Sequence, residues 1–122
     1  LFELIKSKKI LIGLASNAIR KNVEMILNEL KIYKDFDSII CGDEVKRGKP
    51  NPEMFNKTVS RFKLKKKECL IFEDSLEGVS AAVNSEVDVI GITSSTSEEV
   101  LINRGCKLTM DNYLDFDISV YV

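Results

Sequence analysis

The chain has 122 residues, a formal net charge of −1 and no histidine, and 44% of its residues are hydrophobic while 30% are charged. This length and composition predict one globular domain with a sizeable core, and the near-zero charge predicts no binding of nucleic acid or of an anionic membrane. The absence of histidine excludes Ser-His-Asp and Cys-His catalysis and histidine metal sites, so any chemistry must use carboxylates, lysine, hydroxyls and a hard cation.

The first part of the chain predicts a strand, a helix and a second strand after a polar lead-in. Residues 9–16 (KILIGLAS) are a continuous apolar run that ends in small polar residues, which is typical of a strand covered on both faces. Residues 17–30 carry apolar side chains at helical spacing, which predicts an amphipathic helix. Residues 36–43 (FDSIICGD) predict the next strand.

The middle of the chain predicts a helix, a strand and another helix. Residues 51–62 have Pro52 in the first turn of the predicted helix, where a missing N–H does no harm. Residues 69–74 (CLIFED) predict a strand, and residues 76–85 predict a helix rich in small side chains.

The last elements complete an alternating pattern. Residues 87–93 predict a strand, 97–105 a helix and 107–110 a short strand, whereas the tail from 111 predicts no element. Strands that alternate with helices in this way predict an α/β fold, a Rossmann-like parallel sheet with helices on both faces. The binding crevice of such a sheet lies beyond the carboxyl ends of its strands.

The cysteines and the lengths of the apolar runs indicate the compartment in which the protein works. Cys41, Cys69 and Cys106 are far apart in sequence and lie in or beside apolar runs, so we interpret them as reduced core residues of a cytoplasmic protein. No apolar run approaches the ~20 residues of a membrane span, and the start lacks a signal-peptide pattern. The basic run at 63–67 is interpreted as a solvated helix end and loop.

Two of the predicted strand ends offer groups that bind anions. Ser16 and Asn17 follow the first strand, where they either cap the next helix or bind an anion together with its free N–H groups. Lys49 lies between Gly48 and Pro50, which predicts a turn. It is either an ordinary surface lysine or a point charge that holds a phosphate.

The third strand end carries two adjacent carboxylates, Glu73 and Asp74. Asp74 could cap the following helix in a capping box with Glu77, but that leaves Glu73 unexplained. A second interpretation is a site for Mg²⁺, which prefers oxygen ligands and keeps several waters. Because neighbouring strand residues point to opposite faces, we expect one carboxylate to bind the ion directly and the other to act through water or the helix start.

These three strand ends together carry the groups that hold a phosphate and a divalent cation in one crevice. A hydroxyl and an amide, a positioned lysine and an acidic pair follow one another in that order. Positioning and charge neutralisation supply most of the catalysis in phosphoryl transfer. The pattern therefore indicates phosphoryl-transfer chemistry.

The segments LIGLASNA, GKPNPEMF and CLIFEDSLEGVSAA resemble the second, third and fourth motifs of the haloacid dehalogenase-like hydrolases. The nearest subgroup contains β-phosphoglucomutase and small sugar-phosphate phosphatases. The resemblance implies that Ser16 and Asn17 bind the transferring phosphoryl group and that Lys49 neutralises it. It also implies that Glu73 and Asp74 hold Mg²⁺, supported by the loop that begins at Ser75, and that the substrate is a small phosphorylated metabolite.

The sequence departs from this family at its start. The first motif, an aspartate nucleophile followed by an acid/base aspartate, and the helical cap domain have no counterpart in residues 1–122. We therefore expect a partial core domain that contains the second to fourth motifs, lacks the central first strand and needs an N-terminal segment of its parent chain. We expect the strands at 9–16 and 69–74 either to come together or to be separated by another segment.

Several functions remain open at this point. The leading hypothesis is the C-terminal part of a Mg²⁺-dependent phosphohydrolase that works through an aspartyl phosphate on an upstream aspartate. A phosphomutase of the β-phosphoglucomutase type has the same motifs. An inactive fragment and a receiver-type signalling domain are two further hypotheses, although in a receiver domain the acidic pair comes first and the lysine late. We expect the 122 residues alone to be inactive.

Overall fold

The computed structural model describes residues 1–120, apart from the side chain at position 115. Its strands are β1 (Gly13–Ser16), β2 (Ser38–Cys41), β3 (Leu70–Glu73), β4 (Asp88–Ile92) and β5 (Leu108–Met110). Its helices are α1 (Phe2–Ser7), α2 (Arg20–Glu29), α3 (Glu53–Phe62), α4 (Leu76–Asn84) and α5 (Glu98–Arg104). All nine predicted elements are present, and α1 is an additional helix within the stretch interpreted as a polar lead-in.

The predicted strand at 9–16 is wrong for its first four residues. Lys9 has a φ of 58° and the N–H of Ile10 donates to the carbonyl oxygen of Ile5, so these residues end α1 instead of extending β1. Left-handed backbone of this kind is typical of the residue that follows a helix. The second strand likewise ends at Cys41 because residues 42–44 form a 3₁₀ turn.

The strands form two parallel sheets. Strand β1 pairs with β2, with Ser16 beside Cys41, and β3, β4 and β5 form the second sheet in that order. The predicted α/β class with parallel strands and flanking helices is confirmed. Ser16 is the last residue of β1 and Glu73 is the last residue of β3. Both therefore lie at the carboxyl ends of strands, where the crevice of an open α/β sheet is located.

The two sheets are held together by packing instead of strand pairing. Helix α3 contacts β1 and β2 of the first sheet, and it also contacts α4, which packs against β3 and β4 of the second sheet. Ala15 of β1 packs against a buried cluster that includes Phe55 of α3 and Ile71 of β3. Burial of these apolar groups stabilises the arrangement although β1 and β3 share no hydrogen bonds.

The space between β1 and β3 departs from both expected arrangements. Within residues 1–120 the two strands do not pair, and no described strand joins them. The side chain of Lys49 hydrogen-bonds to both strands, through the carbonyl oxygen of Ala15 and the carboxylate of Glu73. The prediction that the strands would come together or be separated by another segment is therefore wrong for the described part of the chain.

The remaining sequence interpretations concern burial. Cys41 and Cys106 are buried, Cys69 is half-buried, and all three thiols are free, as predicted for reduced core residues. The lysines at 63, 65, 66 and 67 are exposed, as predicted for a solvated helix end. In the part of the chain that the structure describes, no helix combines the length and apolarity needed to span a bilayer.

Candidate active site

The turn that carries Lys49 is held by Asn17 at the end of β1. The backbone N–H of Lys49 donates to Oδ1 of Asn17 at 2.9 Å, and Nδ2 of Asn17 donates to the carbonyl oxygen of Lys49 at 3.4 Å. A β-carbon on Gly48 would lie 2.6 Å from Oδ1 of Asn17, so only glycine fits beside this contact. Two segments that are far apart in sequence are thus joined through one amide side chain.

The ammonium group of Lys49 lies between the two sheets. Its Nζ donates to the carbonyl oxygen of Ala15 at 2.8 Å and to Oε1 of Glu73 at 2.5 Å. It also lies 5.1 Å from the centre of the Phe55 ring, close enough for a cation–π contribution. The side chains of Lys49 and Glu73 are only 11% and 9% exposed, so each charge depends on the other for compensation.

Glu73 is fixed on its other side by the first turn of α4. A β-carbon on Gly78 would lie 1.9 Å from Oε2 of Glu73, so the carboxylate and the helix touch directly. The carboxylate is therefore oriented by the packing of α4 as well as by Lys49. The sequence reasoning missed this role of Gly78, although a glycine inside a predicted helix near an acidic pair indicates a close approach.

Asp74 is placed differently from Glu73. It is exposed, and within residues 1–120 its carboxylate makes no hydrogen bond or ion pair. The hypothesis that Asp74 caps α4 with Glu77 is wrong, because the cap is Ser75, whose side chain accepts from the N–H of Gly78 at 3.0 Å. Ser75 reaches this N–H because it directly precedes the helix, and Asp74 is left free to bind a ligand.

The hypothesis that Ser16 or Asn17 caps α2 is also wrong. The N-cap of α2 is Ile19, and Oδ1 of Asp43 accepts from the N–H of Arg20 at 3.0 Å. The chain makes a tight turn between β1 and α2, in which Oγ of Ser16 accepts from the N–H of Ala18 at 3.2 Å. This turn leaves the half-buried Ser16 hydroxyl at the carboxyl end of β1.

An ion pair closes the neighbouring turn at 42–44. Arg20 donates to both carboxylate oxygens of Glu44 at 2.9 Å, and the N–H of Cys41 donates to the same carboxylate at 2.8 Å. The hydrogen bond from Arg20 lowers the pKa of Glu44 from its usual 4.5, against an opposing effect of burial. A β-carbon on Gly42 would lie 2.0 Å from the carbonyl oxygen of Asn17, so this turn supports the segment that holds Lys49.

The predicted site residues are therefore brought together at the carboxyl ends of β1 and β3. Asn17, Lys49 and Glu73 are in direct contact, Ser16 follows the residue whose carbonyl binds Lys49, and Asp74 follows Glu73. A cluster with one cation and two carboxylates at this position can bind a phosphate together with a divalent cation.

The donor set fits a Mg²⁺ site that takes one carboxylate from this chain. Among the described residues no group of three or more His, Cys, Asp and Glu side chains could hold a metal ion by themselves. Glu73 is engaged by Lys49, whereas Asp74 has free carboxylate oxygens beside the crevice. Mg²⁺ in phosphoryl-transfer sites is bound through one or two carboxylates together with waters and substrate phosphates, so Asp74 is the ligand that these residues offer.

A family model described as haloacid dehalogenase-like hydrolase matches residues 1–92, which include all the residues of this site. The chain belongs to the haloacid dehalogenase-like hydrolases. This membership sets aside the receiver-type hypothesis and confirms the resemblance drawn from the motifs.

Individual relatives support the β-phosphoglucomutase-like subgroup of this hydrolase family. A phosphorylated carbohydrates phosphatase of Thermotoga maritima is 33% identical over 105 residues, covering 84% of this chain and 49% of the relative. The β-phosphoglucomutase of Bacillus subtilis is 31% identical over 110 residues, covering 88% of this chain and 48% of the relative. The chain thus spans about half the length of these relatives.

A solved structure shows the same fold. The crystal structure of a HAD hydrolase, family IA, variant 3, from Entamoeba histolytica superposes with a TM-score of 0.90 and 27% sequence identity. The match covers 99% of this haloacid dehalogenase-like chain and 56% of the other chain. The fold of this chain is therefore shared with a hydrolase of the same family.

Proposed function

We propose that the chain is the C-terminal part of a Mg²⁺-dependent phosphohydrolase that acts on a small phosphorylated metabolite. The observation that carries the proposal is the contact of Lys49 with Glu73, held by Asn17 at the carboxyl ends of β1 and β3. A buried lysine that is fixed in this way is a preorganised positive charge, and such charges stabilise a transferring phosphoryl group.

The roles of the residues follow from their positions. The Ser16 hydroxyl and the Asn17 amide bind oxygens of the phosphoryl group, and Lys49 offsets its negative charge. Asp74 holds Mg²⁺, and Glu73 keeps Lys49 in place while contributing to the charge of the metal site. Mg²⁺ bound there supplies positive charge to the phosphoryl oxygens.

The covalent chemistry requires a nucleophile that these residues do not provide. We propose that an aspartate outside the 122 residues, on a strand that enters the space between β1 and β3, attacks phosphorus. A P–O bond to the aspartate forms as the ester P–O bond breaks, and the leaving oxygen takes a proton from the acid/base aspartate proposed on the same segment. Water then attacks the aspartyl phosphate, which releases inorganic phosphate and restores the carboxylate.

A phosphomutase is the second candidate, favoured by the 31% identity with the Bacillus subtilis β-phosphoglucomutase. A mutase would return the phosphoryl group to another hydroxyl of the sugar instead of passing it to water. Lys49, Ser16, Asn17 and Asp74 would serve both reactions in the same way. Product analysis separates the two, because a phosphatase releases inorganic phosphate and a mutase yields an isomeric sugar phosphate.

The experiment measures Mg²⁺-dependent phosphate release and isomerisation by the full-length protein and its Lys49→Ala and Asp74→Asn variants. We expect each variant to lose at least about 100-fold in kcat, since each removes a charge aimed at the transferring group. Lys21→Ala and Asp88→Asn are matched controls. Lys21 is exposed on α2, and Asp88 is the first residue of β4, so it lies at the amino end of that strand, whereas the site lies at carboxyl ends of strands. Unchanged turnover in either site variant rejects the proposal, and robust hydrolysis by the 122 residues alone rejects the external nucleophile.

A further inference from the structure

Positive charge is concentrated in one segment of the chain. Residues 46–67 contain nine of the 18 lysines and arginines and one of the 19 aspartates and glutamates. Nine cations and one acid give this segment a formal charge of +8, whereas the other nine cations and 18 acids give the rest of the chain −9. The net charge of −1 therefore conceals a strong asymmetry, which is typical of a surface that meets a partner of opposite charge.

The fold places this charge on the outer side of α3 and on the turns that flank the helix. Met54 and Phe55 are buried, so the exposed residues of α3 lie on the side away from the core. Eight of the nine cations are exposed, two at 46–47, two on α3 at 57 and 61, and four within 63–67. The exception is Lys49, whose ammonium group binds Glu73 in the candidate active site. We call the surface formed by the eight exposed cations the basic face.

The one acid of this segment, Glu53, is already engaged within the chain. Its carboxylate accepts from the N–H of Lys46 at 3.0 Å and from the N–H of Arg47 at 3.3 Å, and it pairs with the ammonium group of Lys57 at 3.2 Å. The charged ends of Lys46 and Arg47 make no hydrogen bond or ion pair within residues 1–120. Both cations are therefore available to an acidic group from outside.

An open recess of about 580 Å³ lies on the basic face, between the turn at 46–47 and the outer side of α3. Apart from the three cations and Glu53, its lining consists of Asn51, Asn56 and Ser60, whose amides and hydroxyl can donate hydrogen bonds. The recess shares no residue with the candidate active site. It is thus a separate place for a group rich in acceptor oxygens.

The hydrogen bonds around this recess favour carboxylates over a phosphate. Phosphate sites use the free backbone N–H groups of a turn or of a helix start. Here the N–H groups of Lys46 and Arg47 are bound by Glu53, and the N–H of Glu53 is bound by Oδ1 of Asn51 at 3.0 Å. Only side chains remain to hold an anion.

The spacing of the cations favours an extended chain over a compact anion. Helix α3 has 10 residues, which makes it about 15 Å long, and cations lie before it, along it and after it. Such a row matches negative charges that are repeated along a polypeptide.

The basic face lacks the groups with which proteins bind bases or lipids. The aromatic residues of the segment are Phe55, which is buried, and Phe62, which is half-buried, so neither offers an exposed ring on which a base could stack. Among the described residues, none of the exposed large hydrophobic side chains lies within 46–67, whereas a membrane-binding helix inserts such side chains into the bilayer.

We propose that the basic face docks an extended acidic segment of a partner protein, with carboxylates of that segment seated in the recess beside Lys46 and Arg47. Complementary charges of this kind steer association and set its specificity, and their effect is screened by salt. The inference is independent of the proposed function, because it uses none of the residues proposed to hold the phosphoryl group or Mg²⁺.

The test measures the binding of a fluorescein-labelled oligoglutamate peptide to the full-length protein by fluorescence anisotropy. Two double variants each remove two exposed charges, Lys46→Gln with Arg47→Gln at the recess and Lys66→Gln with Lys67→Gln beyond α3. We expect the Kd at low salt to rise about 5-fold in each double variant and about 25-fold when the four substitutions are combined. Binding should also weaken as salt is added.

A matched control removes the same amount of charge elsewhere. Lys21→Gln with Lys34→Gln changes two exposed lysines outside the basic face, and we expect its Kd to stay within about 2-fold of wild type. Urea unfolding of every variant checks that the fold is retained, since substitutions at exposed positions without special contacts change stability little.

Each outcome decides for or against the acidic polypeptide. Absence of binding, or equal losses in the control and in the basic-face variants, overturns the proposal. Tighter binding of a single-stranded oligonucleotide or of inorganic polyphosphate with the same charge overturns it as well, because the face then suits another polyanion. Sedimentation at low salt tests a second copy of the chain as the occupant: oligomers that dissociate in the basic-face variants overturn the proposal, and sedimentation that these variants leave unchanged supports it.

Discussion

Glu73 and Gly78 touch so closely that a β-carbon at position 78 would lie 1.9 Å from Oε2 of Glu73. We predict that Gly78→Ala destabilises the protein by about 2 kcal/mol, because the added methyl group must displace the buried carboxylate. The sign of this change in the free energy of unfolding tests the contact, because without it alanine in a helix interior is favoured over glycine by about 1 kcal/mol. Urea unfolding measures the change. Glu77→Ala, an exposed position in the same turn, should change the free energy of unfolding by less than about 0.5 kcal/mol.

The ion pair between Lys49 and Glu73 should be strongly coupled. Each side chain is about one-tenth exposed, so the removal of one partner leaves an uncompensated buried charge. We predict that Lys49→Met and Glu73→Gln each lower the free energy of unfolding by about 3 kcal/mol, and that the double variant loses less than the sum. A double-mutant cycle measured by urea unfolding gives the coupling energy. Additive effects would contradict the contact, and the exposed pair of Lys107 with Asp88 provides a control cycle with a coupling of at most about 1 kcal/mol.

Asn17 should stabilise the protein through its hydrogen bonds to the backbone of Lys49. Its side chain binds both the N–H and the carbonyl oxygen of that residue, so Asn17→Ala is predicted to destabilise the protein by about 1 kcal/mol. Asn17→Asp retains the acceptor at 2.9 Å and loses the longer bond from Nδ2, and we expect it to recover part of this loss. Thermal or urea unfolding compares the two with Asn28→Ala, an exposed substitution on α2. Equal effects of alanine and aspartate would argue against the hydrogen bond from Lys49.

The contribution of the Arg20–Glu44 ion pair to the free energy of unfolding should depend on pH in the acid range. The pKa of Glu44 is lower in the folded protein than its usual 4.5, so the stabilisation is present above about pH 4.5 and is lost as pH falls through the lowered value. The Glu44 side chain is 39% exposed, which limits the effect to less than about 1 kcal/mol.

We therefore predict that Glu44→Gln lowers the urea midpoint at neutral pH and that the difference from wild type disappears once Glu44 is protonated in the folded state. The difference should also shrink in high salt at neutral pH, because exposed ion pairs are screened. A difference that persists at acid pH would assign the effect to packing of the 42–44 turn instead of to charge.

The strand ends show that sequence patterns predict where strands end better than they predict which residues cap the helices that follow. The apolar runs predicted strands that end at Ser16 and at Asp74. In the fold β1 ends at Ser16 as predicted, and β3 ends at Glu73, one residue before the predicted end. The same patterns misjudged the local hydrogen bonds, because Ser, Asn and Asp are all good N-caps. Which of them caps depends on where the chain turns: Ser75 caps α4, and Asp43 serves α2 from another segment.

The sequence also did not predict which cation pairs with Glu73. Two adjacent carboxylates indicated a cation, and the motif resemblance assigned both to Mg²⁺. In the folded chain the cation beside Glu73 is Lys49, 24 positions away, whereas Asp74 remains exposed. Neighbouring strand residues point to opposite faces, so the alternation predicted different surroundings for the two carboxylates but not which surroundings each would have.

The sequence by itself determined the alternation of strands and helices, the parallel α/β class and the set of polar residues at the strand ends, because periodicity and turn chemistry are local properties of the chain. Only the tertiary structure decided that Asn17 holds the backbone of Lys49, that Gly78 presses on Glu73 and that β1 and β3 are joined by packing across α3. Those contacts join residues far apart in sequence or depend on how a helix meets a strand, and their distances are set by how the core packs.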